Sequence, residues 1–302
     1  MKLNHKNSKY FAALSLIVLS VPAAAQTIEE YSIDTVNPAE AHRYGTGVAG
    51  QINRDTEETR FILIDQENTL EVNTTGFSVI GSYEINPRFF TGLRVDSLQI
   101  ELEGVDEDNR ASIISPYAGV NLNDNLVVAY RVGFLMQEVD ITSADGRETT
   151  NDESFINHNL GLLYHDQKNR FGFAFELEDE DLEREAKRYV VHGRRAISEG
   201  LGLGANFTYL DTQTSKNMLA RVTGDMVIAP NILLEGSLGY IQNSPENDEV
   251  DDSNGYIAQT GIRVGLNEAL DLGANAAYSN AEAGDLVSQE MTQFALTAGY
   301  KF

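Results

Sequence analysis

Few residues in this chain have types suited to chemistry, and their spacing excludes most of what they could do. Apart from His5 near the start, the histidines are His42, His158, His165 and His192, and there is no cysteine. Acyl or phosphoryl transfer needs a nucleophile beside a base, yet no GxSxG turn presents a serine. No two histidines lie at the spacing that holds zinc on one face of an element. The acidic stretches "NDEVDD" (247–252) and "DEDLERE" (179–185) offer carboxylate oxygens suited to calcium or magnesium, but lack the spaced glycine and distal glutamate of an EF-hand. They read as solvated, repelling surface. No enzyme, cofactor or metal site is therefore expected.

A second set of ionisable residues is better ordered, because it recurs on one parity of alternating segments. Arg94, Arg131, Arg221 and Arg263 share that parity with Glu84, Asp96, Glu176, Asp225, Glu235 and Asp271. If this face lines a lumen, opposed acids and bases set up a transverse field that sorts solutes by charge. The same residues could equally be ion pairs that stiffen a wall.

The elements that carry them alternate with a period of two, the signature of strands with one apolar face. In "LGLGANFTYL", Leu201, Leu203, Ala205, Phe207 and Tyr209 oppose Gly202, Gly204, Asn206 and Thr208. "RFGFAFELE", "NLVVAYRVGFLMQ", "LDLGANAAYS" and the final "FALTAGYKF" repeat the pattern. Such runs match the ~9–11 residues that a tilted strand needs to cross a bilayer. Short turns at 86–88, 123–125, 165–169, 198–200, 229–231 and 267–269 alternate strictly with seven longer polar stretches. That asymmetry predicts an all-β, antiparallel, up-and-down transmembrane barrel of about 14 strands, with 12 as the alternative. Tyr83, Phe89, Tyr164, Phe171, Tyr209, Tyr240, Tyr256 and Tyr278 end the apolar faces as interfacial girdles would.

Three stretches fit less well. Pro116 falls mid-strand, where a closed barrel has no free edge to excuse its missing N–H. "RYVVHGRRAI" leaves open whether Arg194 or Arg195 points inward. "RFILI", in the first long polar stretch, reads either as a strand extension or as a constriction folded inside.

The N-terminus carries Lys2, Lys6 and Lys9, then the apolar run "FAALSLIVLS" and the small-residue pattern of Ala23 and Ala25. This is a secretory signal peptide over 1–25. Removing it takes three lysines from 22 Lys+Arg, leaving 19 against 46 acids, or −27 instead of −24. Such an excess argues against nucleic acid as a partner. Residues 26–43 form a periplasmic tail or a short plug, and 44–302 the barrel.

The end "ALTAGYKF", with Tyr300 and terminal Phe302, resembles the C-terminal signature of Gram-negative outer-membrane barrel proteins. The glycine usual five residues before the end is replaced by Thr297, with a glycine at 299. The resemblance implies recognition by the barrel assembly machinery, residence in the outer membrane, and contact with its lipid and lipopolysaccharide. In size and architecture the chain resembles monomeric OmpG-type porins. The expectation is a monomeric, porin-like channel for small hydrophilic solutes with mild cation preference. The alternative is a surface barrel with an occluded lumen, whose acidic loops bind cations, lipopolysaccharide or a protein.

Overall fold

The computed structural model describes residues 37–44, 46–63, 66–102, 107–142, 148–178, 186–246, 252–284 and 287–302. The signal peptide, residues 26–36 and nearly all of both acidic stretches singled out above lie outside the described residues. A 3-10 helix, Pro38–Tyr44, precedes the strands. β1 is Gly47–Leu63, β2 Gln66–Asn86, β3 Phe89–Leu102, β4 Glu107–Asn123 and β5 Leu126–Thr142. β6 is Glu148–His165, β7 Asn169–Glu178, β8 Lys187–Ser198, β9 Leu201–Asp211 and β10 Ser215–Ala229. β11 is Ile232–Pro245, β12 Ser253–Gly265, β13 Leu270–Ala283 and β14 Val287–Lys301.

Each strand pairs antiparallel with its neighbours in sequence, and β1 pairs with β14 to close a barrel of fourteen strands. The closing seam runs without a break from Gly47↔Lys301 to Phe61↔Val287. At its end the Phe302 backbone N–H donates to the Thr46 carbonyl at 3.0 Å. The terminal alternation noted in the sequence thus belongs to a fully paired strand. Closure satisfies every edge, which lets strands stand with apolar side chains on their outer face.

Ile52, Leu203, Val222, Leu238, Phe294 and Leu296 are exposed on that outer face. Two aromatic rows border the band. Tyr83, Phe89, Tyr164, Phe171 and Tyr300 lie toward the short turns, and Tyr189, Tyr209, Tyr240, Tyr256 and Tyr278 toward the opposite end. Tyr300 and Phe302 meet edge-on, with ring centroids 5.2 Å apart.

The seven polar stretches differ from expectation. Among the described residues they are mostly strand: β1 and β2 pair up to Leu63↔Gln66, and β5 and β6 up to Thr142↔Glu148. The backbone of "RFILI" continues β1 as a strand extension through Leu63, and is not folded inward. Along β1 the alternation continues with Asp55, Glu57 and Thr59 buried on the inward side and polar Arg54, Thr56, Glu58 and Arg60 on the other, so the ladder persists without an apolar outer face. Thr and Val, frequent there, favour extended backbone in any case.

Pro116 leaves a visible mark. It pairs with Leu93 on β3, but the β4–β5 ladder passes from Ile114↔Phe134 to Tyr117↔Arg131 and skips Ser115 and Pro116. The closed barrel tolerates the missing donor by giving up two pairs on one side of β4.

Candidate functional site

The lumen is built in three layers, and strand parity assigns each residue to one of them. Nearest the short turns, the 3-10 helix lies inside the barrel against β2 and β4–β7. Ala39 and Ala41 pack with Ala49, Ile80, Val127 and Leu163 in one buried apolar cluster. Asn37 donates from Nδ2 to the Leu162 carbonyl at 2.9 Å, and accepts at Oδ1 from the Ala39 N–H. A side chain at Gly161 would collide with Asn37 and Pro38, so the wall needs a glycine there for the helix to dock. The described part of the 26–43 segment thus lies against the inner wall at the short-turn end.

Glu40 fastens this helix. It is fully buried and accepts from Arg170 Nε at 2.9 Å, while His192 Nε2 lies 2.7 Å from the same oxygen. Its second oxygen faces Arg170 Nη2 in an ion pair. A buried carboxylate between a guanidinium and an imidazole keeps its charge compensated without water.

The second layer is an ionic belt. Glu176 on β7 accepts from Arg131 Nη2 on β5 at 3.2 Å and from Asn159 Nδ2 on β6 at 2.9 Å, and lies 3.3 Å from Arg188 Nη1 on β8. These four side chains follow the register Arg131↔Asn159↔Glu176↔Arg188 around the wall. On β3, Arg94 Nε meets Asp96 Oδ2 at 2.6 Å, and Ser78 Oγ donates to the other oxygen. Arg194 grips Asp225 with two hydrogen bonds, at 2.7 and 2.5 Å, the bidentate form that fixes a guanidinium most firmly. That contact settles the open choice in β8: Arg194 points inward.

The predicted ionic residues are therefore brought together differently from expectation. Arg94 with Asp96, and Arg131 with Glu176, are neighbours along the wall, not opposed charges across it. Asp225 pairs with Arg194, and Glu235 lies beside Asp225 in register. Arg221, 2 % exposed, reaches Gln259 Oε1 at 3.5 Å. Arg263 and Asp271 line a small cavity near the short turns with Thr297 and Lys301. Glu84 is exposed at the short-turn rim. Glu40, Arg170, Arg188, Arg194 and His192 were not identified from sequence. β8 has no clean alternation, and the helix precedes the periodic region. The partners of β8 on β7 and β10 are what reveal its inward face.

The third layer, on the far side of the belt, is mainly apolar, with buried Ser279 and Glu57 in the row Ile257↔Ser279↔Met291↔Glu57↔Val72. Leu98 and Ile100 continue the inward parity of Arg94 and Asp96 on β3, and Val72 on β2 is buried against Leu70 and Ile100. Further round the wall, Leu219, Ile257 and Met291 are buried on the inward faces of β10, β12 and β14. Charged residues are conspicuous in the sequence, whereas apolar residues of inward parity merge into the general hydrophobic content.

The histidines do not assemble. His158 is on the outer face, its Nδ1 2.6 Å from Tyr130 Oη, whereas His192 is inside with Glu40. Among the described residues no group of three or more His, Cys, Asp or Glu could hold a metal ion.

No family model and no curated protein matches the chain. Solved structures do. A Pseudomonas aeruginosa FadL homologue superposes with a TM-score of 0.68 at 13% identity, over 88% of this chain and 93% of that one. The Ralstonia pickettii toluene transporter TbuX gives 0.59 at 12%, over 88% and 92%. The Pseudomonas putida toluene transporter TodX gives 0.60 at 8%, again over 88% and 92%. None of these three is an OmpG-type porin, so they do not support the finer resemblance suggested by size. At such identities the likeness is one of fold, and the fold is that of a fourteen-stranded outer-membrane β-barrel.

Proposed function

We propose that this barrel is an outer-membrane channel for small, largely apolar molecules, closed at its periplasmic end by the helix Pro38–Tyr44. The observation that carries the reading is the apolar third layer, with Val72, Ile100, Ile257 and Met291 turned inward where a water-filled pore would be polar. Apolar concavities with a few placed polar groups are what small apolar ligands occupy. Two of the similar barrels are toluene transporters, which supports the same direction.

A hydrophilic, cation-preferring pore is the weaker reading. Its charged lining is largely neutralised along the wall, and Arg94, Arg131 and Arg221 are 4%, 8% and 2% exposed. The reading includes no catalytic step. Outer-membrane lipid and lipopolysaccharide surround the apolar band, the assembly machinery engages Tyr300 and Phe302, and the barrel works as a monomer.

The test pairs two measurements on refolded protein. Saturable toluene binding in nanodiscs, above that of empty nanodiscs, together with no arabinose-driven swelling of proteoliposomes, is the expected result. Rapid swelling without toluene binding would return the protein to the hydrophilic porins.

A further inference from the structure

The belt contains one arc that is not ionic. Ser237 on β11, Gln259 on β12, Ala277 on β13 and Gln293 on β14 follow one register row, Ser237↔Gln259↔Ala277↔Gln293, all on the inward parity. Gln293 is 0% exposed, and neither its Oε1 nor its Nε2 has a hydrogen-bond partner. Gln259 Nε2 and Ser237 Oγ, in residues 6% and 7% exposed, are also without one. An unmet buried polar atom costs about 1–3 kcal/mol, so a row of four such atoms is expensive unless something else satisfies it. Ile257 and Met291 lie two residues further from the short turns on the same inward faces, so the amides form the floor of the apolar layer.

The geometry points to a recognition site for uncharged amphiphiles: molecules with an apolar ring or chain in the third layer and one hydroxyl or carbonyl on Gln293, Gln259 and Ser237. The inference rests on the apolar-channel reading and narrows its substrate class. A carboxylate is disfavoured, because Asp55 stands opposite Gln293 in register and Glu57 is buried two residues along the same face. At the other end Arg221 already donates to Gln259. What remains free is amide and hydroxyl capacity, which can both give and accept a hydrogen bond.

Toluene and p-cresol differ by one hydroxyl and therefore isolate that term. Equilibrium dialysis against protein-loaded nanodiscs, corrected with empty ones, should show p-cresol bound at least about tenfold more tightly than toluene, the equivalent of one net hydrogen bond. Gln293→Leu should retain toluene and bring p-cresol down to the same affinity. Ser237→Ala, a smaller change that folds if the leucine variant does not, should lower p-cresol affinity about threefold and leave toluene unchanged. Toluene and p-cresol binding equally, with neither variant separating them, would overturn the inference and leave these amides to ordered water. If neither ligand binds saturably, the apolar channel itself fails, and this site with it.

Discussion

Across β3–β8 the inward polar groups of the belt are ions held in pairs, whereas across β11–β14 they are neutral amides and a hydroxyl. In the ionic arc each carboxylate has cationic partners: Glu176 has two guanidiniums and an amide, and Glu40 has Arg170 and His192. The neutral arc has no such pairing, and Gln293 has no partner at either end of its amide. Arg94 and Arg131 are about as buried as Gln259 and Ser237, so depth alone does not explain the difference. One arc stiffens the wall and seats the helix, and the other keeps its hydrogen-bonding capacity for something that comes and goes.

The comparison breaks most sharply at Glu176. Its replacement by Ala leaves Arg131 and Arg188 facing one another without a counter-charge. Removing one partner of a buried network costs about 3–5 kcal/mol. The expected result is a marked fall in the urea midpoint of the refolded barrel, read by heat-modifiable migration, with Glu176→Gln in between. A midpoint equal to wild type would mean that the ionic arc is not what holds this wall.

Glu40→Ala addresses the seat instead of the wall. It removes charge-assisted bonds worth about 1.5–3 kcal/mol each, enough to raise the undocked fraction of the helix at least about tenfold. Planar-bilayer recordings should show correspondingly more frequent open events while the urea midpoint stays near wild type. Unchanged gating would mean that the alanine packing of Ala39 and Ala41 suffices to hold the helix.

The smallest effect belongs to neither arc and serves as their control. In the β6–β7 turn Asp166 accepts from the Asn169 side chain and from the Lys168 and Asn169 N–H groups. Those bonds, the Asn169 side chain foremost, hold its carboxyl below the ordinary range. A depressed pKa stabilises the folded state above the unfolded value of about 3.9, and that contribution is lost as pH falls through the folded value. Asp166→Asn should therefore lower the unfolding midpoint slightly at pH 7 and narrow its difference from wild type as the pH drops below 4. An equal difference at both pH values would assign the loss to shape instead of charge.

Sequence patterning made the wall legible, and the interior less so. Alternation in "LGLGANFTYL" or "FALTAGYKF" reports which residues leave the lumen, because a one-residue slip would reverse every side chain. It also placed Arg94, Arg131 and Glu176 on the inward parity. It could not report who meets whom: Arg131 and Glu176 are 45 positions apart and join only through the β5–β6–β7 register. Glu40 was invisible for another reason. A seven-residue 3-10 helix is too short to show a periodicity, and the partners of Glu40 lie 130 and 152 residues away. Residues 54–63 and 66–76 look like loop because composition reports solvent, yet their backbone is strand that overhangs the bilayer with a polar outer face.

That overhang has a consequence for how anything reaches the channel. β2 is 21 residues long, roughly 70 Å of extended chain. Tilted by about 40° it still rises roughly 50 Å, twice the apolar band of about 25 Å. The far rim thus stands clear of the hydrocarbon as a chimney, at the height of the lipopolysaccharide sugars. A sparingly soluble molecule that enters there is carried past that hydrated sugar layer, the barrier it crosses worst on its own.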